Sequence, residues 1–280
     1  MGYYEFNITI AGESREALVQ RVSEAGCLGL VEREKTLLVY FHDTLGINAI
    51  KGNLDAFRTT LRESGLDDTL SFEYVFLSER DWNESWKKKF KPIDVGEIFS
   101  ILPPWEDKAP GRIHLVIDPG MAFGTGHHET TKTCLILIEK LSRGREKSTF
   151  LDIGTGTGIL AIAAAKIGFQ QITGVDIDPL AVDAAQRNIK LNDVRNIEIR
   201  EGSVPAVNGA YDFIAANLMS EILIGMAPEM APHLDKAGVA LLSGMLLGQD
   251  EGVIAAMEKE GLRFLERFED GRWVSLVLTR

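Results

Sequence analysis

The residues with the clearest chemical meaning are a cluster of glycines and an acid spaced behind it. An apolar strand leads into the sequence Gly-Thr-Gly-Thr-Gly at residues 154–158, and the next apolar strand ends at Asp176. Glycine adopts positive φ angles without strain and lets the backbone approach a ligand closely. An acid about 20 residues beyond such a turn can accept hydrogen bonds from ribose hydroxyls. The spacing therefore predicts a nucleoside-binding turn at Gly154 and Gly156, with Asp176 at the end of the neighbouring strand.

The glycine pattern narrows the choice of nucleoside. Ile159 occupies the position at which G-x-G-x-x-G needs its last glycine, and no G-x-x-x-x-G-K-[ST] sequence occurs, which argues against dinucleotide and P-loop sites. Asp152 would also repel a pyrophosphate beside the turn. A ligand with an amino-acid end suits the turn better, because its ammonium pairs with carboxylates. The pattern resembles the first two motifs of class I S-adenosylmethionine-dependent methyltransferases. A nicotinamide enzyme and a turn that only packs a helix on a strand are the alternatives.

Three other segments carry residues that can contact a ligand. The glycine-rich run at residues 118–131 ends in hydroxyl residues that enter a predicted helix, so Thr130 and Thr131 either bind a ligand or serve the first helical turn. Asn217 ends an apolar strand, where ligands bind in open α/β sheets, and its amide offers a donor and an acceptor. A helix-capping role is the alternative for Asn217. The strand end at Gly244 is expected to shape a pocket wall.

The elements that must position these residues begin with a small N-terminal domain, predicted at residues 1–78. Apolar alternation predicts its strands, and apolar spacing of three and four residues predicts its helices. In chain order the predicted elements are strand 3–10, helix 13–26, strands 27–34 and 36–42, helix 47–65 and strand 69–78. This β-α-β-β-α-β order is the ferredoxin-like arrangement. The domain shows no cluster of catalytic side chains, so we expect it to bind or position a partner.

A linker is predicted at residues 79–96, followed by an α/β domain at residues 97–280. In the linker, Trp82, Trp86 and Phe90 recur every four residues and would form one stripe on a helix. Beyond it, strands and helices alternate to the end of the chain. Such alternation indicates a parallel, doubly wound sheet, here with an antiparallel final strand. The predicted fold class is therefore α/β, a Rossmann-like domain behind a small ferredoxin-like α+β domain.

Composition limits the class of protein. The chain has 280 residues, 45% of them hydrophobic, and a formal net charge of −11. Such a charge disfavours nucleic-acid backbones and would attract a basic protein, although it also serves solubility alone. There is no apolar run of ~18 residues and no secretory signal pattern, and Cys27 and Cys134 have the setting of reduced, buried thiols, so we expect a cytoplasmic protein. The adjacent His127 and His128 point in different directions, so we expect no metal site.

The run at residues 118–131 resembles the signature of the bacterial methyltransferases of large-subunit ribosomal protein eleven. It reads Asp-Pro-Gly-Met-Ala-Phe-Gly-Thr-Gly-His-His-Glu-Thr-Thr. The phrase Asp81-Trp82…Trp86, the turn at residues 151–158 and Ala216-Asn217-Leu218 are similar to that family as well, so the resemblance covers essentially the whole chain. The glycine turn is common to a superfamily, whereas the run at 118–131 is specific. Many members have Thr-His-Pro where this chain has His127-His128-Glu129.

The resemblance implies contacts with S-adenosylmethionine from Thr131, Gly154, Asp176 and Asn217, and the glycine pattern itself adds Gly156. It also implies that the N-terminal domain binds the ribosomal protein, and that the enzyme methylates the N-terminal α-amino group and lysine ε-amino groups of that protein. We further expect a monomer that acts on the ribosomal protein before its assembly, without direct contact to nucleic acid or membrane.

Two alternative functions stay open at this point. A lysine methyltransferase of another protein, such as an electron-transfer flavoprotein, shares the catalytic motifs. The chain could instead be an inactive S-adenosylmethionine-binding module, against which the intact glycines, Asp176 and Asn217 argue. No general base is assigned, and Asn217 is the candidate for orienting the amine.

Overall fold

The chain forms two compact units, Met1–Lys89 and Phe90–Arg280. The computed structural model describes residues 2–10, 14–32, 36–64, 69–78, 91–118, 126 and 128–280. The aromatic stripe predicted at Trp82, Trp86 and Phe90 lies outside the described residues and stays a prediction. The same holds for His127 and for residues 119–125 of the glycine-rich run.

The N-terminal unit is a four-stranded antiparallel sheet with two helices. Its elements are β1 (Gly2–Thr9), α1 (Arg15–Glu24), β2 (Gly29–Glu32), β3 (Thr36–His42), α2 (Ile47–Glu63) and β4 (Ser71–Ser78). The strand order is β2-β3-β1-β4. Helix α2 buries Ile50, Leu54, Phe57 and Leu61, which recur every three or four residues and share one core cluster with Phe6 of β1. The predicted order of the six elements, β-α-β-β-α-β, is observed.

The C-terminal unit begins with a separate three-stranded sheet. Its strands are β5 (Ile93–Val95), β6 (Phe99–Leu102) and β7 (Ile113–Val116). β5 pairs antiparallel with β6, and β6 pairs parallel with β7. β5 therefore lies inside the segment predicted as a linker. Asp94 separates two apolar residues in a strand-like alternation, and Gly96 turns the chain at a φ of +60°. The strand is not predicted because the four-residue aromatic spacing just before it indicates a helical linker, and the alternation itself covers only three residues.

The rest of the unit is a seven-stranded sheet with helices on both faces. Its strands are β8 (Thr149–Ile153), β9 (Gln171–Asp176), β10 (Ile197–Glu201), β11 (Tyr211–Asn217), β12 (Leu234–Leu246), β13 (Arg263–Asp270) and β14 (Trp273–Thr279). Its helices are α3 (Glu129–Leu141), α4 (Ile159–Lys166), α5 (Pro179–Leu191), α6 (Ser220–Met230) and α7 (Asp250–Lys259). The strand order is β10-β9-β8-β11-β12-β14-β13, with β14 antiparallel to both neighbours and β8 to β12 parallel. The predicted parallel sheet with an antiparallel final strand is confirmed.

Alternation along the strands divides the core of this unit into two layers. In β11, Phe213 and Ala215 belong to the cluster that contains α3 and α4 residues, whereas Ile214 and Ala216 belong to the cluster of α6 and α7 residues. The central strands are thus buried on both faces. Their nearly continuous apolar sequences follow from this, since neither face meets water.

The order of the strands creates a crevice at one edge of the sheet. From β8 the chain crosses to β9 on one side, whereas β11 lies on the other side of β8. Open α/β sheets bind ligands at the carboxyl ends of the strands where the order reverses in this way. The glycine turn follows β8, Asp176 ends β9 and Asn217 ends β11. The fold thus brings together three features that are far apart in the sequence.

Candidate functional site

The turn after β8 is built from glycines in left-handed conformations. Gly154, Gly156 and Gly158 have φ angles of +69°, +54° and +80°, a region that other residues rarely adopt. A Cβ on Gly154 would lie 2.6 Å from the side chain of Leu218, and a Cβ on Gly158 would lie 3.1 Å from that of Ala185. The turn is therefore packed closely against the loop after β11 and against helix α5.

The acid at the end of β9 is oriented by the same turn. One carboxylate oxygen of Asp176 accepts a hydrogen bond from the backbone N–H of Gly156 at 2.8 Å, and the other accepts from that of Asp178 at 3.1 Å. Asp178 in turn caps α5 by accepting from the N–H of Leu180 at 2.9 Å. Because the Asp176 side chain is half-buried and held at both oxygens, its remaining lone pairs are directed before any ligand arrives.

Asp152, the other acid near the turn, stabilises the turn itself. Its buried carboxylate accepts hydrogen bonds from the Thr155 hydroxyl at 2.7 Å and from the N–H of Ala161 at 3.2 Å. It thereby ties the turn to the first residues of α4. Burial raises the pKa of Asp152 to about 6, and the charge of Asp176 acts in the same direction. Asp152 does not line the cavity described below, whose acidic residues are Asp176 and the helix-capping Asp178.

A cavity of about 660 Å³ opens at this edge of the sheet. Its polar groups include Asp176, Ser203 and Asn217, while most of its wall is apolar. The large apolar side chains that line it are those of Ile153, Ile177, Leu218, Met219, Ile222, Met226 and Trp273. Ile177 and Met219 are 76% and 62% exposed, so both present apolar surface to a ligand in the cavity. The size and lining are those of a small-molecule site.

The structure brings Gly154, Gly156, Asp176 and Asn217 to this one cavity. Thr131 is placed differently. It lies in α3 with 1% of its surface exposed, and its buried hydroxyl makes no hydrogen bond within the described residues. The wall of the cavity at this point is formed by its neighbour Thr130.

Asn217 faces the cavity because of the way its loop is held. The N–H of Leu218 donates to the carbonyl of Ser243 at 2.9 Å. Gly244, at a φ of +93°, leaves no room for a side chain, since a Cβ would lie 2.6 Å from the carbonyl oxygen of Leu218. The cap of α6 is Met219, so the alternative interpretation of Asn217 as the helix cap is wrong. The expectation that Gly244 shapes the wall is confirmed.

Two residues at the cavity have roles that the sequence does not signal. His128 caps α3, with its Nδ1 accepting from the N–H of Thr130 at 3.3 Å. The His128 ring meets Trp273 edge-on, with 4.8 Å between ring centroids, and Arg272 lies 5.2 Å from the centroid of the same indole ring. Trp273 begins β14, the last strand of the chain. Trp273 reaches the cavity because this strand pairs with β12, and no local sequence pattern predicts that contact.

Two kinds of feature are absent from the described part of the chain. Its His, Cys, Asp and Glu side chains form no group of three or more that could hold a metal ion. No helix within the described ranges has the length and apolar character needed to cross a membrane. Both cysteines are free thiols, and burial raises the pKa of Cys134 to about 12.

Nearly the whole chain matches a single family of proteins. Residues 2–280 match the family described as "Ribosomal protein L11 methyltransferase (PrmA)". The chain belongs to the ribosomal protein L11 methyltransferase family. This confirms the family that the run at residues 118–131 resembles, and it confirms the predicted protein methyltransferase.

Individual members of the family are similar along most of the chain. The ribosomal protein L11 methyltransferase of Clostridium perfringens (strain 13 / Type A) is 39% identical over 244 residues, which is 85% of this chain and 77% of that protein. That of Pelobacter propionicus is 38% identical over 254 residues, which is 88% of this chain and 82% of that protein. A crystal structure of ribosomal protein L11 methylase from Lactobacillus delbrueckii subsp. bulgaricus is 32% identical with a TM-score of 0.64, and covers 68% of this chain and 99% of that one. The predicted Rossmann-like class I methyltransferase fold, with a mixed α/β sheet, is confirmed.

Proposed function

We propose that this enzyme transfers methyl groups from S-adenosylmethionine to ribosomal protein L11, at its N-terminal α-amino group and at lysine ε-amino groups. The observation that carries the proposal is the convergence of Gly154, Gly156, Asp176 and Asn217 on one cavity in a chain of this family. The names of the relatives support ribosomal protein L11 as the substrate. The residues that line the cavity support S-adenosylmethionine as the methyl donor.

The cavity suits S-adenosylmethionine through the groups that line it. The Asp176 carboxylate can accept hydrogen bonds from ribose hydroxyls, and the exposed side chain of Ile177 beside it offers apolar surface to a base. The same carboxylate disfavours a pyrophosphate, because both are anions. Thr131 remains a proposed contact, since its hydroxyl is a buried polar group near the start of α3 with unused hydrogen-bonding capacity.

The proposed reaction needs a neutral amine held in line with the transferred group. Bound S-adenosylmethionine supplies a methyl group activated by the adjacent sulfonium. The amide of Asn217 can orient the amine, because it carries both an acceptor and a donor. Leu218, Met219 and Ile222 line the same cavity with apolar surface, which would lower the pKa of an amine bound there and so favour its reactive neutral form. Alignment and exclusion of water then supply most of the rate.

The decisive experiment combines the purified enzyme, methyl-labelled S-adenosylmethionine and purified ribosomal protein L11. We expect label on the N-terminal amine and on lysine side chains, located by mass spectrometry. A parallel reaction with a cell lysate identifies the labelled protein if the target is another one, such as an electron-transfer flavoprotein. Binding of S-adenosylmethionine without transfer to any protein would indicate an inactive module and contradict the proposal.

The N-terminal unit is proposed to be a ferredoxin-like domain that recognises the substrate. Its element order and its antiparallel strand order support the assignment. A truncated protein of residues 91–280, checked for folding by circular dichroism, should bind S-adenosylmethionine as the full chain does but methylate the ribosomal protein much more slowly. Turnover should fall because the truncated protein lacks the contacts that dock the substrate, and the energy of those contacts helps to align the amine with the methyl group. Equal turnover by the two proteins would contradict the docking role, and joint loss of binding and turnover would indicate a role in folding.

The cellular setting is part of the same proposal. The enzyme would act in the cytoplasm as a monomer on the free ribosomal protein. Its net charge of −11 supports attraction to a basic protein and disfavours direct contact with ribosomal RNA. Sedimentation tests the monomer, and a faster labelling of assembled large subunits than of the free ribosomal protein would contradict the proposed order of events.

A further inference from the structure

Two buried asparagines at the end of helix α5 form hydrogen bonds with segments that are distant in the sequence. Asn188 is 1% exposed and lies in the last turns of α5, and Asn192, 6% exposed, is the residue that ends the helix. An amide side chain carries an acceptor and donors. When it is buried, both ends must be satisfied, because an unpaired polar group away from water is costly. The partners of each amide therefore show what it holds in place.

Asn188 joins two segments that are far apart in the sequence. Its Oδ1 accepts a hydrogen bond from the N–H of Asp118 at 2.9 Å, and its Nδ2 donates to the carbonyl of Thr157 at 2.8 Å. Thr157 belongs to the glycine turn, and Asp118 begins the run at residues 118–131. A reversed amide would place a donor against an N–H and an acceptor against a carbonyl, so the orientation is fixed by both partners.

The close approach of α5 to the glycine turn makes this bridge possible. Gly158 lies against Ala185, where a Cβ would come within 3.1 Å, and Ala185 is about one helical turn before Asn188. The amide therefore reaches Thr157 directly. A larger residue at either side of this contact would separate the helix from the turn.

Asn192 has the same chemistry but a different reach. Its Oδ1 accepts from the N–H of Val116 at 2.9 Å, and its Nδ2 donates to the carbonyl of Val116 at 2.6 Å and to that of Asn188 at 2.8 Å. It therefore pairs with the edge of β7 as a neighbouring strand would. These bonds join β7 to α5, and none of them reaches the glycine turn that Asn188 contacts.

The two partners of Asn188 belong to stretches of sequence whose other residues line the cofactor cavity. The glycine turn lines it with Gly154 and Gly156, and the far end of the run lines it with His128 and Thr130. We propose that Asn188 is a positioning residue for the cofactor site, whose single amide sets the glycine turn against the chain at Asp118. The identity of the ligand used in the test rests on the proposed function.

The substitution Asn188→Asp separates this role from a general contribution to folding. The carboxyl group keeps an acceptor for the N–H of Asp118 but, when ionised, faces the Thr157 carbonyl with a negative charge. When protonated, it regains a donor and can make both bonds. Burial raises the pKa of the introduced group. Relative to the wild type, the affinity for cofactor should therefore be low at alkaline pH and recover as the pH falls.

The measurement is calorimetric titration with S-adenosylhomocysteine between about pH 5.5 and pH 8, a range that should span the raised pKa. At the alkaline end we expect Asn188→Asp to bind about tenfold or more weakly than the wild type, with recovery towards the acid end. The matched control is Asn192→Asp, which should lower the melting temperature yet keep the affinity within about twofold. The charged residues adjacent in the sequence, Arg187 and Asp193, and those joined by hydrogen bond, Asp118 and Lys166, are unchanged in both variants.

Equal weakening in the two variants, or a loss in Asn188→Asp that does not change with pH, would overturn the inference. If the introduced charge prevents folding, the pair Asn188→Ala and Asn192→Ala gives the same comparison without it, and unchanged affinity in Asn188→Ala would overturn the inference as well. Failure of the wild-type protein to bind S-adenosylhomocysteine would contradict the proposed function first, and the positioning role with it.

Discussion

The two ends of the central sheet use the same strands for different purposes. The proposed cofactor cavity lies at the carboxyl ends of β8, β9 and β11, and a second cavity of about 500 Å³ lies at their amino ends. The first has walls of large apolar side chains with few polar groups between them. The second is lined mainly by polar residues, among them Thr149, Gln170, Gln171, Asn196, Glu198 and Arg200. The two volumes are similar, so size alone does not identify the functional end.

The ends differ in how individual polar side chains are satisfied. At the amino end, Asp212 accepts from both the N–H and the hydroxyl of Thr149, at 2.8 and 3.0 Å, and Arg200 pairs with Glu198 at 2.8 Å. At the carboxyl end, the side chain of Asn217 makes no hydrogen bond within the described residues. Hydrogen-bonding capacity left unused beside apolar surface is what marks a ligand site.

The largest expected effect comes from adding one methyl group at the carboxyl end. In Gly244→Ala the new Cβ would lie 2.6 Å from the Leu218 carbonyl, so the loop that carries Asn217 must move. The overpacking and the left-handed strain together amount to about 3–4 kcal/mol, which corresponds to roughly several hundredfold in cofactor affinity if ligand binding must restore the loop. Calorimetric titration with S-adenosylhomocysteine measures this loss.

The matched control lies at the other end of the sheet. Gly209 lines the second cavity at a φ of +85° and would have no atom within 4 Å of a Cβ. Gly209→Ala therefore carries the strain of about 1–2 kcal/mol without the clash. It should lower the melting temperature and leave cofactor affinity unchanged. Similar affinities for the two variants would mean that the position of the Asn217 loop does not matter for binding.

A smaller but more specific effect is expected from the acids at the two ends. Asp176→Ala removes the proposed acceptor for ribose hydroxyls and should weaken cofactor binding by about tenfold to a hundredfold. Asp212→Ala removes the carboxylate that accepts from the N–H and the hydroxyl of Thr149, at a cost of about 1–3 kcal/mol in stability. It should not change the affinity. A folded Asp176→Ala protein with wild-type affinity would exclude this acid from the cofactor site.

The parts of the site that are predictable from sequence are those with a local geometric rule. Gly154 and Asp176 belong to one β-α-β unit, in which the length of the helix fixes the spacing between turn and acid. Asn217 follows from the rule that ligands meet the carboxyl ends of strands. In the N-terminal unit, the change from two-residue to three- and four-residue apolar periods is enough to predict the order of elements.

The remaining parts depend on contacts between elements that no local period encodes. Trp273 reaches the cavity because the last strand returns antiparallel beside β12, and Asn188 reaches Thr157 because α5 packs on the glycine turn. Asp152 precedes the turn and reads as a ligand-facing acid, yet its carboxylate points to Thr155 and Ala161. Thr131 is buried one position away from the residue that lines the wall, a difference that only the register of α3 decides.

The buried acid at the carboxyl end should be visible in the pH dependence of stability. Burial raises the pKa of Asp152 from 3.8 to about 6, so the folded state keeps this proton to a higher pH than the unfolded state does. Its contribution is fully present below about pH 4 and is lost as the pH rises to about 6. Relative to the wild type, Asp152→Asn should thus gain about 1–3 kcal/mol in free energy of unfolding across this window. Urea titrations at each pH measure the difference, and parallel curves would contradict the assignment.

The smallest effect is expected from the exposed ion pair at the amino end. The guanidinium of Arg200 holds the pKa of Glu198 below its usual value, so the pair stabilises the fold above that value and is lost as the pH falls. The Glu198 side chain is 61% exposed, and water and salt screen such a pair strongly. Glu198→Gln keeps an acceptor oxygen for Arg200, so the melting temperature should change by about 1 °C or less at low salt and not at all at high salt. Cofactor affinity should be unchanged, and a measurable loss would show that the amino end of the sheet is coupled to the cofactor site after all.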